Sequence, residues 1–350
     1  MRPFYEQQFY NNRPKAKGGE DYLIDFVNDF TSWHDACLQD AATVMPGGEF
    51  LTAYTALDRR EFRRIVRAGV GGYLRKNGEW PDFFRPRSFG AMNILHSILM
   101  PLEAGRIPAD KLKAGSYIPA KYRNRCRAAE VFRQWGPGER VSFAGLPAGK
   151  YYLKSNHASA QVMKIELPCD AATLEAAQAA VDEWLATDYG RHSSQWWYGF
   201  IERRAFLEED LNSGTEEPLT DFRFHVINGR MSVLQMDVGL GTEDRHNPVY
   251  DSNLNYMPYD FLRQNLREEP LPQHTDLARD IAVEIGRQFQ YCRVDLYLRG
   301  DEVFLGELTF LPNAGRRHVR SPELDEMLCA DWSPMPRFVR LEEVAARQAA

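Results

Sequence analysis

The segment Cys292–Thr309, CRVDLYLRGDEVFLGELT, decides how the rest of the chain is interpreted. It predicts two β-strands, Tyr291–Leu298 and Val303–Phe310, because residues alternate in each with the period of two that is typical of a strand. A three-residue loop, Gly300–Glu302, is expected to close the hairpin, with glycine supplying a positive φ. The segment therefore predicts an antiparallel hairpin with one apolar and one polar face.

The register of this hairpin follows from the cost of burying charge. With the three-residue loop, Asp295 pairs with Glu307, Arg293 pairs with Thr309, and the apolar faces coincide. A slip of one residue would place Glu307 among buried apolar side chains, which the cost of burying an unpaired charge disfavours. The favoured register sets two carboxylates side by side, about 5 Å apart at Cβ.

Two neighbouring carboxylates repel each other unless a proton or a cation lies between them. One interpretation is structural: Arg293 satisfies the pair and nothing else binds there. The other is a divalent cation, Mg²⁺, held by one or two carboxylates and completed by the phosphates of a substrate. In that case Arg293 faces a phosphate or acyl-phosphate oxygen.

The composition narrows the class of protein. The chain has 350 residues, of which 44% are hydrophobic and 26% charged, and its net charge is −6. These values are typical of a soluble globular protein and do not suggest a nucleic-acid-binding surface. No apolar run approaches the length of a membrane span. Five scattered cysteines without a CxxC motif favour reduced thiols in a cytoplasmic protein over disulfides or a zinc site.

Apolar spacing divides the chain into a helical first part and a strand-rich second part. After a polar arm over residues 1–20, helices are predicted over 21–45, 57–76, 91–103 and 119–135. The arginines of the second helix are predicted to form its solvated face. Next come the strands and helices Lys150–Lys154, Val162–Leu167, Ala171–Ala186, Arg203–Leu211, Thr220–Val226, Met231–Val238 and 275–289. Together these elements predict an α+β fold with clefts between subdomains.

A lysine and an acidic cluster stand at strand ends where a nucleotide could bind. Lys154 ends a strand and enters the glycine-free loop SNHASAQ, which could line phosphates with backbone N–H groups but is not a Walker A motif. The acidic residues Glu208–Asp210 could accept hydrogen bonds from ribose hydroxyls. The alternatives are an exposed lysine at a strand end and a solvated acidic turn. The long irregular stretch 237–260 also suggests function.

Several segments, in this order, resemble the ATP-grasp superfamily, and within it the TupA-like branch linked to teichuronopeptide and capsular-polysaccharide biosynthesis. The resemblance runs roughly from Arg87 to Asp325 and is most specific in RVDLYLRGDEVFLGELTFLPNAG. The other segments that carry it are LTDFRFHVINGR, LPAGKYYLKSNHAS, AKYRNR and DRHNPVYDSNLN.

The resemblance implies an ATP-grasp fold, in which two α+β subdomains clasp ATP. It implies a lid subdomain over 116–210 and a C-terminal subdomain over 211–345 that holds Mg²⁺, preceded by a helical region over 1–115 that would shape the acceptor site. The implied nucleotide-binding residues are Lys121, Lys154, Ser155, His157, Ser159, Glu208, Glu209, Leu211, Asp221 and Arg223. The implied metal ligands are Asp295, Glu307, Thr309 and Asn313, and the implied catalytic residues are Arg293, Arg245 and Arg316.

The activity that the resemblance implies is ligation of a carboxylate to an amine through an acyl phosphate, in polysaccharide or secondary-metabolite biosynthesis. The partners would be ATP, a carboxylate substrate and an amine such as an amino acid or amino sugar; a homodimer is also compatible. Two alternatives remain open: a kinase that phosphorylates a hydroxyl group, and a non-catalytic nucleotide-binding protein. The chain departs from the branch at the glycine-free lid loop, at Ala120 before Lys121, at Arg223 and at Thr309.

Overall fold

A computed structural model describes residue 28 and residues 59–81, 87–99, 109–191, 193–214, 219–316, 318–330 and 332. The predicted arm over 1–20 and nearly all of the predicted helix over 21–45 lie outside the described residues. In the described part, no helix is long and apolar enough to cross a membrane.

The elements of the described chain alternate between helices and two sheets. The helices are α1 (Arg59–Asn77), α2 (Phe89–Leu99), α3 (Ala171–Ala186), α4 (Thr275–Gly286) and α5 (Pro322–Ala330). The strands are β1 (Cys126–Ala128), β2 (Val131–Trp135), β3 (Gly149–Ser155), β4 (Val162–Leu167), β5 (Ala205–Glu209), β6 (Asp221–Ile227), β7 (Arg230–Asp237), β8 (Val249–Tyr250), β9 (Tyr256–Met257), β10 (Tyr291–Arg299) and β11 (Glu302–Thr309).

The larger sheet has the strand order β1-β11-β10-β6-β7-β8-β9. Strand β1 runs parallel to β11, and the other neighbours are antiparallel. Helix α4 packs on β10 and β6 through Ala278, Ile281 and Ile285, which recur at spacings of three and four and are fully buried. The opposite face of β10 is therefore left to form a site.

The smaller sheet has the order β2-β5-β3-β4 and is covered on one side by α3. The alternation of β3 explains this arrangement: Tyr151 and Leu153 are buried in a core with Val181 of α3, whereas Tyr152 and Lys154 point to the other side. The polar side of this sheet is thus available to line a cavity.

The predicted helix over 119–135 is wrong. That segment contains a short 3₁₀ turn, Ala120–Tyr122, followed by β1 in the larger sheet and β2 in the smaller one. Pairing with β11 and β5 satisfies the backbone of both short strands, and this tertiary pairing overrides the local helical spacing. The strands of the described chain therefore begin at Cys126, before residues 136–138, and not after them.

The β10–β11 hairpin confirms the predicted pairing of Asp295 with Glu307 and of Arg293 with Thr309. The predicted three-residue loop, however, is wrong. A two-residue turn closes the hairpin on Arg299 and Glu302, and a bulge at 306 restores the register. Because of the bulge, Phe304 pairs with Tyr297 and lies on the face of Asp295, not on the apolar face.

Glycine at position 306 is required by this bulge. A Cβ there would lie 2.5 Å from a ring carbon of Tyr297, which is closer than two non-bonded carbon atoms approach each other. The glycine therefore allows the Tyr297 ring to cross the bulge on the polar face of the sheet.

Helices α1 and α2 pack together beside the larger sheet. Phe62, Ile65, Val66 and Val70 form the buried side of α1, and its arginine-bearing side is exposed, as predicted. The turn Pro312–Gly315, which follows β11, packs against both helices. The first part of the described chain is thereby attached to the end of the hairpin.

Candidate active site

A cavity of about 1100 Å³ lies between the two sheets. Its walls are the polar side of β3, β4 and β5, the polar face of β10 and β11, and the 3₁₀ turn Lys111–Tyr117. Six lysines and arginines and seven carboxylates line it: Lys111, Lys150, Lys154, Lys164, Arg223, Arg293, Glu166, Glu208, Glu209, Asp210, Asp221, Asp295 and Glu307. A cleft of this size and polarity fits a charged ligand of moderate size.

The carboxylates of Asp295 and Glu307 are both part of the cavity wall and stand on paired positions of β10 and β11. Asp295 is 3% exposed, and burial raises its pKa. Glu307 is half-buried and has no hydrogen bond or ion pair with any described residue. The two side chains thus differ: one is fixed, and the other is available to a ligand.

Arg293 fixes Asp295. Its Nε lies 2.7 Å from Oδ1 and its second terminal nitrogen 2.5 Å from Oδ2, and it also donates to the Thr309 hydroxyl at 3.1 Å. This bidentate geometry is the strong form of an arginine–carboxylate pair. The sequence allowed a purely structural role for the pair, in which Arg293 satisfies both carboxylates. In the structure Arg293 binds Asp295 but not Glu307.

A second arginine bridges two more carboxylates on the neighbouring strands. Asp221 and Asp237 are paired across β6 and β7, and Arg223 lies 2.7 Å from each. Arg245, from the loop after β7, holds Asp237 through hydrogen bonds of 2.8 and 2.6 Å. Burial, and next the charge of Asp295, raise the pKa of Asp221 to about 6.

The small-sheet wall presents Lys154 from β3, paired with Glu208 of β5. The side chain of Lys154 is 30% exposed and that of Glu208 is 15% exposed. The loop that follows β3 contributes Ala158, Ala160 and Gln161 to the cavity, whereas Ser159 is exposed at its tip and outside the lining.

Sequence reasoning missed Lys111. Its ammonium group lies in the cavity, where it donates to the carbonyls of Ser155 at 3.2 Å and of Ala158. Burial lowers its pKa. The available signal was Asp110, which precedes Lys111. The family segment that AKYRNR resembles has an aspartate before its lysine, whereas Lys121 follows an alanine.

Lys121 is not brought to the cavity. It lies 3.0 Å from Glu284 of α4 on the outer surface, and that hydrogen bond raises its pKa. Its implied role rested on the resemblance of the segment AKYRNR to the family, and in the structure this segment begins with the short 3₁₀ turn Ala120–Tyr122. Lys111, not Lys121, is the lysine that contacts the loop after β3.

Other predicted site residues also lie away from the cavity lining. Arg245 is bound to Asp237, and the Thr309 hydroxyl accepts a hydrogen bond from Arg293. Arg316 packs on Gly72 of α1. The exposed Asn313 lies in the turn after β11, and the buried His157 faces the small-sheet side, where burial lowers its pKa to about 4. The hydroxyl of Ser155 is buried as well.

The acidic end of β5 forms the edge of the cavity between the sheets. Glu208, Glu209 and Leu211 all line it, as does Asp221 at the start of β6. Glu209 is bound by Arg127 and by the N–H of Glu130 at 2.8 Å. Glu208 is paired with Lys154, and Asp221 with Arg223.

A buried tyrosine adjoins the carboxylate pair from a different element. Tyr198 belongs to the 3₁₀ turn Trp196–Phe200, and burial raises the pKa of its hydroxyl, to which the charge of Glu307 adds. Its ring contacts that of Tyr189 edge-on at 5.4 Å. No sequence signal singled out this residue.

Comparison with solved structures gives the following similar proteins, all at low identity. D-alanine–D-alanine ligase from Bacillus anthracis complexed with ATP is 11% identical, with 73% of this chain and 76% of that chain covered and a TM-score of 0.42. The Helicobacter pylori D-alanine–D-alanine ligase is 12% identical, with 68% of each chain covered and a TM-score of 0.40. D-cycloserine synthetase DcsG is 14% identical, with 73% and 78% covered and a TM-score of 0.35.

No curated protein matches the chain significantly. The family model of TupA-like ATP-grasp proteins matches residues 148–332, which is more than half of the 350 residues and begins later than the resemblance predicted from Arg87. The matched span contains Lys154, Glu208 and the β10–β11 hairpin. The chain therefore belongs to the TupA-like family of ATP-grasp proteins and has an α+β fold, as the sequence predicted.

Proposed function

We propose that the chain joins a carboxylate to an amine, using ATP and Mg²⁺, through an acyl-phosphate intermediate. The observation that carries the proposal is the cavity-facing pair of Asp295 and Glu307, in which Glu307 has no hydrogen bond or ion pair with any described residue. A polysaccharide precursor or a precursor of a secondary metabolite is the proposed source of the carboxylate, and an amino acid or amino sugar is the proposed amine.

The donor set fits Mg²⁺. In the described chain there is no cluster of three or more histidine, cysteine or carboxylate ligands, so a site for zinc or for a protein-caged ion is not suggested. Mg²⁺ is usually held by one or two carboxylates, with phosphates and water completing its shell. Asp295 and Glu307 would hold it, and it would supply charge that offsets the triphosphate.

The charges of the cavity support the need for such a cation. Seven carboxylates and six lysines and arginines line the cleft, so the walls alone do not attract a triphosphate. Lys111 and Lys154, which both line the cavity, are the proposed phosphate-binding lysines. Glu208 and Asp221, at the edge between the sheets, are proposed to bind the ribose hydroxyls.

Arg293 is proposed to orient the reacting carboxylate and stabilise the acyl phosphate. Its hydrogen bonds to Asp295 hold the guanidinium group in one place, so no reorganisation is needed as negative charge develops. A chain that only positions and stabilises needs no covalent nucleophile. We propose that residues 116–210 form a lid that excludes water from the intermediate, and that 211–345 form the base that carries the hairpin.

The test is product analysis with ATP, Mg²⁺ and pooled carboxylic acids and amines. The proposal predicts ADP and free phosphate together with an amide product. Phosphate that stays on the product would identify a kinase instead, and AMP would identify an adenylating enzyme. Absence of any nucleotide turnover, with ATP still bound, would identify a non-catalytic nucleotide-binding protein.

A matched pair of variants tests the carrying observation. Glu307→Gln is expected to lower kcat by about 10²–10³-fold, because a positioned charge at the reacting phosphate is lost. Glu302→Gln changes the same residue type on the same strand, but Glu302 is exposed and outside the cavity, so activity should stay within about two-fold. Equal activity in both variants would remove Glu307 from the mechanism.

A further inference from the structure

One face of helix α1 carries five exposed arginines, Arg60, Arg63, Arg64, Arg67 and Arg75. The first four follow the spacing i, i+3, i+4, i+7, which places them on one side of a helix. The Nη1 of Arg75 comes within 3.4 Å of the Cβ position of Gly71, so this side chain folds back toward the other four. We name these five residues the arginine row; it is about 22 Å long at 1.5 Å per residue.

The arginine row is unpaired in the part of the chain that the structure describes. None of its members forms an ion pair there, and Arg63 donates only to the side-chain oxygen of Asn28, at 3.2 Å. The arginines that line the cleft behave differently: Arg223 and Arg293 are each bound to a carboxylate. A row of like charges without partners, in a chain of net charge −6, is destabilising unless an anion binds it.

The arginine row lies beside elements that reach the active site. Glu61, three positions from Arg64, lies 3.5 Å from Arg191, in the segment that leads to Tyr198. Gly72, three positions from Arg75, packs on Arg316, which follows the turn after β11. Residues three apart are neighbours on a helix, so the edge of the row borders both segments.

Two guanidinium groups at this border also have unused donors. The Nε atoms of Arg191 and Arg316 are buried and have no hydrogen-bond partner among the residues that the structure describes. An anion bound along this edge would add acceptors beside them. The border thus continues the positive surface from the exposed helix toward the segment that leads to Tyr198 and the turn after β11.

We propose that the arginine row docks a polycarboxylate chain and so presents the carboxylate substrate to the cleft. This inference rests on the proposed ligase function, because that reaction consumes a carboxylate. The planar fork of arginine matches a carboxylate with two parallel hydrogen bonds, and the row contains arginine only.

Two other anionic partners fit less well. A single-stranded nucleic acid needs aromatic side chains between the cations for its bases to stack on. Between the arginines of the row lie half-buried, non-aromatic residues such as Ala68 and Gly71. A lipid surface needs an exposed apolar face beside the charges. The apolar face of α1 is instead buried in the protein core through Phe62, Ile65 and Val66.

Binding of fluorescently labelled poly-L-aspartate to the full chain tests this proposal without any turnover. The variant Arg60→Gln/Arg63→Gln/Arg64→Gln/Arg67→Gln should bind about ten-fold or more weakly, because four exposed charge contacts are lost. The wild-type affinity should fall as salt is raised. A control variant, Arg133→Gln/Arg140→Gln/Arg230→Gln/Arg263→Gln, removes four exposed arginines elsewhere and should bind like the wild type within about two-fold.

The outcomes separate this inference from the proposed function. Equal binding by the row variant and the wild type, or equal loss in the control variant, would overturn the docking surface while ligase turnover of small carboxylates could still be observed. Row-dependent binding in a chain that releases no ADP would retain the surface and refute the ligase. Tighter row-dependent binding of oligothymidylate or of phosphatidylserine vesicles would overturn the polycarboxylate assignment. Unchanged ATP affinity and thermal midpoint show that the row variant is folded.

Discussion

The two walls of the cleft carry their charges in different ways. On the large-sheet wall, Asp295 is 3% exposed and bound twice by Arg293. On the small-sheet wall, the pair of Lys154 and Glu208 keeps 30% and 15% of its side-chain surface exposed. When one member of a buried pair is removed, the charge that remains is left without solvent. In a partly exposed pair, water can solvate the remaining charge. The difference indicates a prearranged wall facing one that can adjust to a ligand.

The largest expected effect is on stability, from Asp295→Ala. The change leaves Arg293 buried without its carboxylate, and we expect the free energy of unfolding to fall by about 3–5 kcal/mol. Glu208→Ala removes the corresponding carboxylate from the other wall and should cost about 1 kcal/mol or less, because Lys154 can be solvated. Urea unfolding of both variants gives the two values. Equal losses would show that the walls do not differ in the way described.

The next effect is on ATP binding, and it separates two lysines. Lys111→Met should weaken ATP binding by about 10- to 100-fold, since a charge-assisted contact to a phosphate is worth roughly 1.5–3 kcal/mol. Lys121→Met should leave it within about two-fold, because Lys121 binds Glu284 outside the cavity. Calorimetry with ATP in the presence of Mg²⁺ measures both. The reverse result would place Lys121 at the nucleotide and contradict the geometry.

The large-sheet wall could be predicted from the sequence, because its chemistry is local. Asp295 and Glu307 stand on one hairpin, and the cost of burying a carboxylate selects a single pairing for them. That pairing survived a wrong loop length, since the bulge at Gly306 shifts the strand by the residue that the shorter turn lacks. A bulge leaves little trace in a hydrophobic pattern, so the position of Phe304 could not be predicted.

The small-sheet wall was harder to predict, because distant segments build it. Strands β3 and β4 were placed from their own alternation, but Lys111 reaches the loop after β3 from a 3₁₀ turn some forty positions earlier in the chain. The short strands β1 and β2 form only by pairing with β11 and β5. A local pattern cannot report such contacts, and Tyr198 was missed for the same reason.

His157 tests whether the inner side of the loop after β3 behaves as protein core. Burial lowers the pKa of this histidine to about 4, below its ordinary value of 6.5, so the unfolded chain binds the proton more tightly than the folded one. Stability should therefore be lost as the pH falls from 6.5 toward 4, by about 2 kcal/mol between pH 7 and pH 5. In His157→Gln this part of the pH dependence should vanish. Identical urea midpoints against pH for both proteins would mean that the ring is solvated.

The smallest expected effect concerns the glycine-free loop after β3. Ala160 has a positive φ of 62°, a conformation that costs a residue with a Cβ about 1 kcal/mol, whereas the buried Ala158 has no such strain. Ala160→Gly relieves the strain but adds chain entropy to the unfolded state, so the free energy of unfolding should change by less than about 1 kcal/mol. Ala158→Gly gains nothing in return and should destabilise by about 1 kcal/mol.

The contrast between these two alanines bears on how the adjustable wall works. If the strain at Ala160 holds the loop in place until a nucleotide binds, Ala160→Gly should alter ATP association kinetics while leaving the large-sheet wall and its stability unchanged. Stopped-flow binding with both glycine variants gives this readout. Equal rates in Ala160→Gly and the wild type would mean that the loop is held by Lys111, through the carbonyls of Ser155 and Ala158, and not by its own backbone.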